Sequence, residues 1–158
     1  MTEALDRAAA SELALELASA ADLWSHLVRH DPGQRVFAPL DAGPYAGAWL
    51  ICWMPGHDTG FHDHDHSAGA VAVISGQVRE ERIAADWHVT GATYGPGEVF
   101  SFQSGDIHRM LHVGTEPAVS IHVYSPRLHV MGAYAFGKAG MQRHLLGPET
   151  ELKPLTAA

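Results

Sequence analysis

With 158 residues, 46% of them hydrophobic and 18% charged, the chain has the size and composition of one globular domain whose core needs no staple. A formal net charge of −8 argues against a nucleic-acid surface, which needs clustered Lys and Arg, and no apolar run approaches the ~20 residues that span a bilayer. The single cysteine, Cys52, excludes an internal disulfide and fits a reducing compartment; with no basic and apolar leader at its start, the protein is expected to be cytoplasmic.

Residues 2–30 read as helix, because Leu13, Leu17, Ala20, Trp24 and Leu27 recur at helical steps and form one apolar stripe. Asp31-Pro32-Gly33 is the expected stop. Short apolar runs follow at Ala48–Met54, Ala70–Ile74, Val99–Phe102 and Val119–Tyr124, each bounded by Gly or Pro. Many short strands with regular turn signals predict a mainly β fold, a sandwich or barrel. A further strand is expected through Val130 to Phe136, and the last ten or so residues read as a loose tail. The expected organisation is one domain over 1–158: a helical cap over about 1–31, a β-barrel over about 35–136 and a C-terminal extension over 137–158.

Twelve histidines are the compositional outlier. His62, His64 and His66 alternate, so on a strand all three face one way. Same-face neighbours lie ~7 Å apart, which puts His62 and His66 ~13 Å apart, too far to share an ion at metal–nitrogen bonds of ~2.1 Å. Two of them can converge, and the best third ligand is His108, in Gly105-Asp106-Ile107-His108, where a turn glycine leads into a new strand. The alternative is a solvated histidine-rich loop carrying Asp63 and Asp65; the surrounding glycines favour the metal.

That glycine frame, Gly56-x5-His62-x-His64-x4-Gly69-x6-Gly76, resembles the first cupin motif, with Gly69 where most cupins carry a glutamate ligand. Gly97-x5-Gln103-x-Gly105-x2-His108-x3-His112 is similar to the second, with Gln103 and His112 replacing the usual proline and asparagine. Leu50-Ile51-Cys52-Trp53, His108-Arg109 and the run Thr115 to Pro126 extend the likeness to the cysteine dioxygenase family, from about Arg35 to Pro126. The resemblance implies a cupin-type jelly-roll barrel and a metal held by the three neutral imidazoles of His62, His64 and His108. Animal members carry, at the position of Gly69, a cysteine crosslinked to the tyrosine matching Tyr124; Gly69 rules that crosslink out here.

Ser120, His122 and Tyr124 alternate with Val119, Ile121 and Val123, which puts hydroxyl, imidazole and phenol on one strand face. Either that face looks into the barrel as a relay holding the Tyr124 hydroxyl toward the metal, as the family implies, or it lies in solvent. A substrate carboxylate calls for an arginine fork. Arg35 stands at nearly the family's distance from Trp53, with a surface role as its rival. Arg109, directly after a ligand, is expected to point away from the metal. Cys52 reads as a core residue, and His66 and His112 as weak candidates for the pocket mouth.

The expected activity is that of an iron(II)-dependent dioxygenase, with catalytic Tyr124, His122 and Ser120, substrate contacts from Arg35 and Tyr124, and the partners L-cysteine and O2. Three rivals stay open: a dioxygenase for another small thiol such as 3-mercaptopropionate, a non-catalytic metal- or ligand-binding cupin, and a zinc or nickel isomerase-type cupin. Three histidines do not choose a metal by themselves.

Overall fold

The structure is a computed structural model and describes residues 4–147. Two short helices, α1 (Arg7–Ser19) and α2 (Ala21–Trp24), and a 3-10 turn at Ser25–Leu27 precede eleven strands. These are β1 (Val36–Leu40), β2 (Gly47–Trp53), β3 (His62–Asp63), β4 (Ala68–Ser75), β5 (Gln77–Ile83), β6 (Val89–Tyr94), β7 (Val99–Phe102), β8 (His108–Val113), β9 (Ala118–Ser125), β10 (Met131–Gly137) and β11 (Gly140–Leu146). They pair antiparallel into a five-stranded sheet, β1-β2-β9-β4-β7, and a six-stranded sheet, β11-β10-β3-β8-β5-β6. The fold is mainly β, as the turn spacing predicts. Among the described residues no helix is long and apolar enough to cross a membrane.

Two apolar layers organise the molecule. Ile51, Trp53, Val71, Val73, Phe102, Met110 and Met131 fill the space between the sheets. On the outer face of the five-stranded sheet, Leu50, Cys52, Ala70, Ala72, Val119, Ile121 and Val123 pack against Ala10, Ala14 and Leu17 of α1. The small alanines on both surfaces let helix and sheet come close. β9 is therefore sandwiched and every residue of it is buried. Its valines and isoleucine face α1, so its polar face looks inward rather than into solvent.

The helical segment differs from the single helix expected over 2–30. Asp6 caps α1 by accepting from the Ala9 N–H, and the helix ends at Ser19 because Ala20 takes a non-helical conformation. The Trp24 indole N–H then folds back onto the carbonyls of Leu17 and Ala18 and closes the open C-terminal turn. Of the expected stripe only Leu17 is fully buried; Ala10 and Ala14 replace the rest, with Leu13, Trp24 and Leu27 half-buried beside them. Past residue 136 the chain continues as β11, which pairs with β10 from Met131↔Leu146 to Gly137↔Gly140. The expected loose tail lies outside the described residues.

Candidate metal centre

β3 pairs with β8 so that His62 stands directly opposite His108. His64 follows one residue after β3 ends, and all three histidines are buried. One ring nitrogen from each lies within 4.8 Å of the others. Nitrogens sharing one ion at bonds of ~2.1 Å lie about 3 to 4 Å apart, so the trio needs to close only slightly. His66 is not part of it. Asp65 adopts a left-handed conformation (φ 53°) while its N–H donates to Asp63 Oδ1, and this turn throws His66 into solvent with its side chain 94% exposed.

The outer nitrogens are tied back. His62 Nδ1 meets the Gly60 carbonyl at 2.9 Å, and His108 Nδ1 meets Glu80 Oε1 at 2.8 Å. With Nδ1 as donor in both, the neutral tautomer turns the Nε2 lone pair toward the common centre, which suits a divalent ion. Glu80, from β5, is the functional residue that sequence reasoning missed. Its carboxylate is buried, and the Arg82 Nε donates to the same oxygen at 2.8 Å. Arg82 also reaches Asp106 and the Ser101 carbonyl. The centre is therefore not purely neutral: one hydrogen bond behind His108 stands a carboxylate, paired with a guanidinium.

Phe102 walls the site, stacked on His64 with ring centroids 4.5 Å apart. Gly69 lies opposite Tyr124 in the β4–β9 pairing. A Cβ there would sit 2.1 Å from the Val123 carbonyl oxygen and 2.7 Å from Phe102 Cζ, so strand and ring close over the position where the family's animal members carry cysteine. The Tyr124 ring lies 5.0 Å from that of His64. Behind it, Tyr124 Oη stands 3.3 Å from His122 Nδ1, and His122 Nε2 stands 2.8 Å from Ser120 Oγ. Trp53 extends the row, its Nε1–H donating to Ser120 Oγ at 2.9 Å. Indole is donor-only, so Ser120 accepts there, and its hydroxyl makes the next link to His122 Nε2. His122 thus bridges the Ser120 hydroxyl and the Tyr124 hydroxyl through its two ring nitrogens.

Arg35 is buried, with its guanidinium carbon 5.3 Å from the Trp53 ring centroid, which disposes of a surface role. It thus sits at the Trp53 end of the row. Arg109 points away from the three imidazoles, bonded to Glu81 and lying over Phe61. Cys52 is buried under α1, and burial pushes its thiol pKa up. His112 Nε2 bonds the Glu116 carbonyl at 2.6 Å.

Residues 2–136 match the sequence profile of the family Cysteine dioxygenase type I. The chain belongs to the cysteine dioxygenase type I family. Among curated members, human cysteine dioxygenase type 1 is 28% identical over 94 residues, 54% of this chain and 47% of that protein. The zebrafish (Danio rerio) protein is 33% identical over 89 residues, 49% of this chain and 43% of its own length. The chain spans about half the length of the curated relatives it matches. Two solved structures share the architecture. One is a Thermus thermophilus protein at 21% identity and TM-score 0.57, covering 65% of this chain and 93% of that one. The other is a Klebsiella pneumoniae protein with a double-stranded β-helix domain, at 21% identity and TM-score 0.55, covering 75% and 91%. The family member described here therefore has the cupin-type jelly-roll barrel, with an N-terminal helical segment laid on its outside.

Proposed function

We propose that the chain is an iron(II)-dependent thiol dioxygenase that adds both atoms of O2 to the sulfur of L-cysteine, giving cysteine sulfinate. The observation that carries this reading is the convergence of three buried imidazoles, with no carboxylate among them, beside a phenol held by an internal relay. Iron(II) bound by His62, His64 and His108 would supply an open side on which a thiolate sulfur and dioxygen can meet. Imidazole ligands leave the ion's double charge to attract an anionic sulfur.

The remaining work falls to the chain's own groups. Arg35 offers the substrate carboxylate a guanidinium that lies over the Trp53 ring. Tyr124 is positioned by His122 to hydrogen-bond substrate or oxygen in the pocket, while Ser120 and Trp53 hold His122 in one tautomer. The Phe102 ring over His64 keeps water from that side of the site. With Cys52 reduced and buried, a cytoplasmic setting fits the same reading.

Oxygen uptake by the iron(II)-loaded protein over a panel of small thiols tests it. Uptake with L-cysteine well above 3-mercaptopropionate is expected; the reverse order would reassign the substrate, and no uptake with any thiol would sink the dioxygenase reading. His64→Ala is expected to abolish iron binding, while His66→Ala, on the exposed turn, retains most of it.

A further inference from the structure

Asp63 lies between two of the proposed ligands, and its side chain points the other way, toward β10 and β11. It is only 3% exposed. Arg143, on β11, grips it with a fork: Nε donates to Oδ2 at 2.8 Å and Nη2 to Oδ1 at 2.7 Å. The Tyr134 hydroxyl, on β10, donates to Oδ2 as well. Nη2 of Arg143 continues to Asp65 Oδ1 at 3.2 Å, so the turn after His64 is held by the same side chain. Register explains the meeting. Tyr134 pairs with Arg143 across β10–β11, and Gly132 pairs with Asp63 across β10–β3.

Arg143 must therefore cross a whole strand to reach Asp63, and it crosses over Gly132. A Cβ at Gly132 would sit 2.2 Å from Arg143 Nε and 2.6 Å from Asp63 Oδ2. The backbone at Gly132 does not take the left-handed conformation that favours glycine, so what the position requires is the missing side chain. Strand β3 is only two residues long, and it carries His62 and leads directly to His64. So short a strand gains little rigidity from its own ladder. The fork on its second residue, Asp63, fixes its position along β10, and with it the spacing of the imidazoles on either side.

We propose that Arg143 and Tyr134, acting through Asp63 across the gap at Gly132, are positioning residues that hold His62 and His64 at metal-binding separation. The C-terminal hairpin thereby sets the affinity of the metal centre. This rests on reading the three histidines as a metal site. It adds a role for β11, which lies beyond the 2–136 stretch matching the family.

The test is a cobalt(II) titration of the metal-free 158-residue chain, followed by visible absorption, beside thermal unfolding of the same metal-free samples. Arg143→Gln is expected to weaken cobalt(II) binding by about tenfold or more, the range for loss of a group that orients metal ligands. Gly132→Ala should do the same without removing any polar group, and Arg143→Lys, keeping one contact, should fall between Arg143→Gln and wild type. A merely structural hairpin would lower the unfolding midpoint and leave the affinity of the folded protein alone. Wild-type affinity in folded Arg143→Gln and Gly132→Ala overturns the proposal. If neither folds, Tyr134→Phe, which keeps the ring and loses one bond, decides by the same titration. A wild-type chain that binds neither cobalt(II) nor iron(II) overturns the metal reading itself.

Discussion

Glu80 Oε1 stands 2.8 Å from His108 Nδ1, and the two side chains are buried together although they come from different strands, β5 and β8. A carboxylate in that position fixes the ring's tautomer and raises the basicity of the nitrogen facing the metal. Glu80→Gln is therefore expected to weaken metal binding by about 10- to 100-fold while keeping the fold, because the amide still fills the space. Glu80→Ala should in addition lower the melting temperature, since it strips Arg82 of its buried partner. A metal titration giving wild-type affinity for Glu80→Gln would show that His108 is oriented by its strand alone.

Gly69 and Phe102 meet in the wall beside His64. A Cβ on Gly69 would run into the backbone oxygen of Val123 and into the Phe102 ring, and the backbone cannot step aside without shifting β9. Gly69→Ala is expected to cost about 1 to 3 kcal/mol, as overpacking of a close-packed interior does. Trimming the ring in Gly69→Ala/Phe102→Leu should recover only part of that, because the carbonyl remains. Chemical denaturation of the two variants checks this. A fully stable Gly69→Ala would mean that β4 and β9 can separate at this point.

Much of this molecule could be read from its sequence, and the parts that could not share a reason. Alternation within one strand is local, so the row Ser120, His122, Tyr124 was legible; turn spacing gave a mainly β sandwich or barrel, while the glycine frame and the family resemblance singled out His62 and His64 and the jelly-roll barrel. What depends on register between distant strands was not legible. Glu80 sits in the charged run Arg79 to Arg82, which looks like a solvated strand until the pairing of β5 with β8 carries it behind His108. Arg143 meets Asp63 across 80 positions, only because β10 lies between them with a glycine at the crossing. The helix ends at Ser19 although the apolar stripe runs on to Leu27, because nothing local distinguishes a continuation past Ala20 from the Trp24 fold-back that closes it. Trp53 belongs to the motif Leu50-Ile51-Cys52-Trp53, but its hydrogen bond to Ser120 follows from the pairing of β2 with β9.

Cys52 gives a prediction about reactivity and pH. Burial under α1 raises its pKa, outweighing the opposing backbone hydrogen bond and charge of Arg29. In the native protein Ellman's reagent should find almost no thiol, with one equivalent released on denaturation. The folded pKa lies above the unfolded one, so the neutral thiol favours the native state fully at pH below the unfolded value, near 9.0. Stability should then decline as pH rises above that value, and Cys52→Ser should lessen the decline. Fast labelling of the native thiol, or an unchanged alkaline slope in Cys52→Ser, would contradict this.

The relay from Trp53 to Tyr124 predicts a graded series in which metal binding and turnover separate. Tyr124→Phe keeps the ring beside His64 and removes only the hydroxyl, so iron should still bind while kcat falls by about 10²-fold or more, the range for a positioned proton-transferring or hydrogen-bonding group. Ser120→Ala leaves two buried polar atoms without their partner, the Trp53 N–H and His122 Nε2, at a cost of about 1 to 3 kcal/mol in stability. Its kcat should drop less than that of Tyr124→Phe, because His122 can still touch the phenol but is no longer held in one tautomer. Combining the two should give a kcat no lower than that of Tyr124→Phe alone, since Ser120 acts only through the hydroxyl already removed. Arg35→Ala should behave differently and raise KM for cysteine with little change in kcat. Steady-state oxygen uptake with iron content measured for each variant checks the whole series. Additive losses in the Ser120→Ala/Tyr124→Phe double variant would mean that Ser120 serves the barrel rather than the phenol.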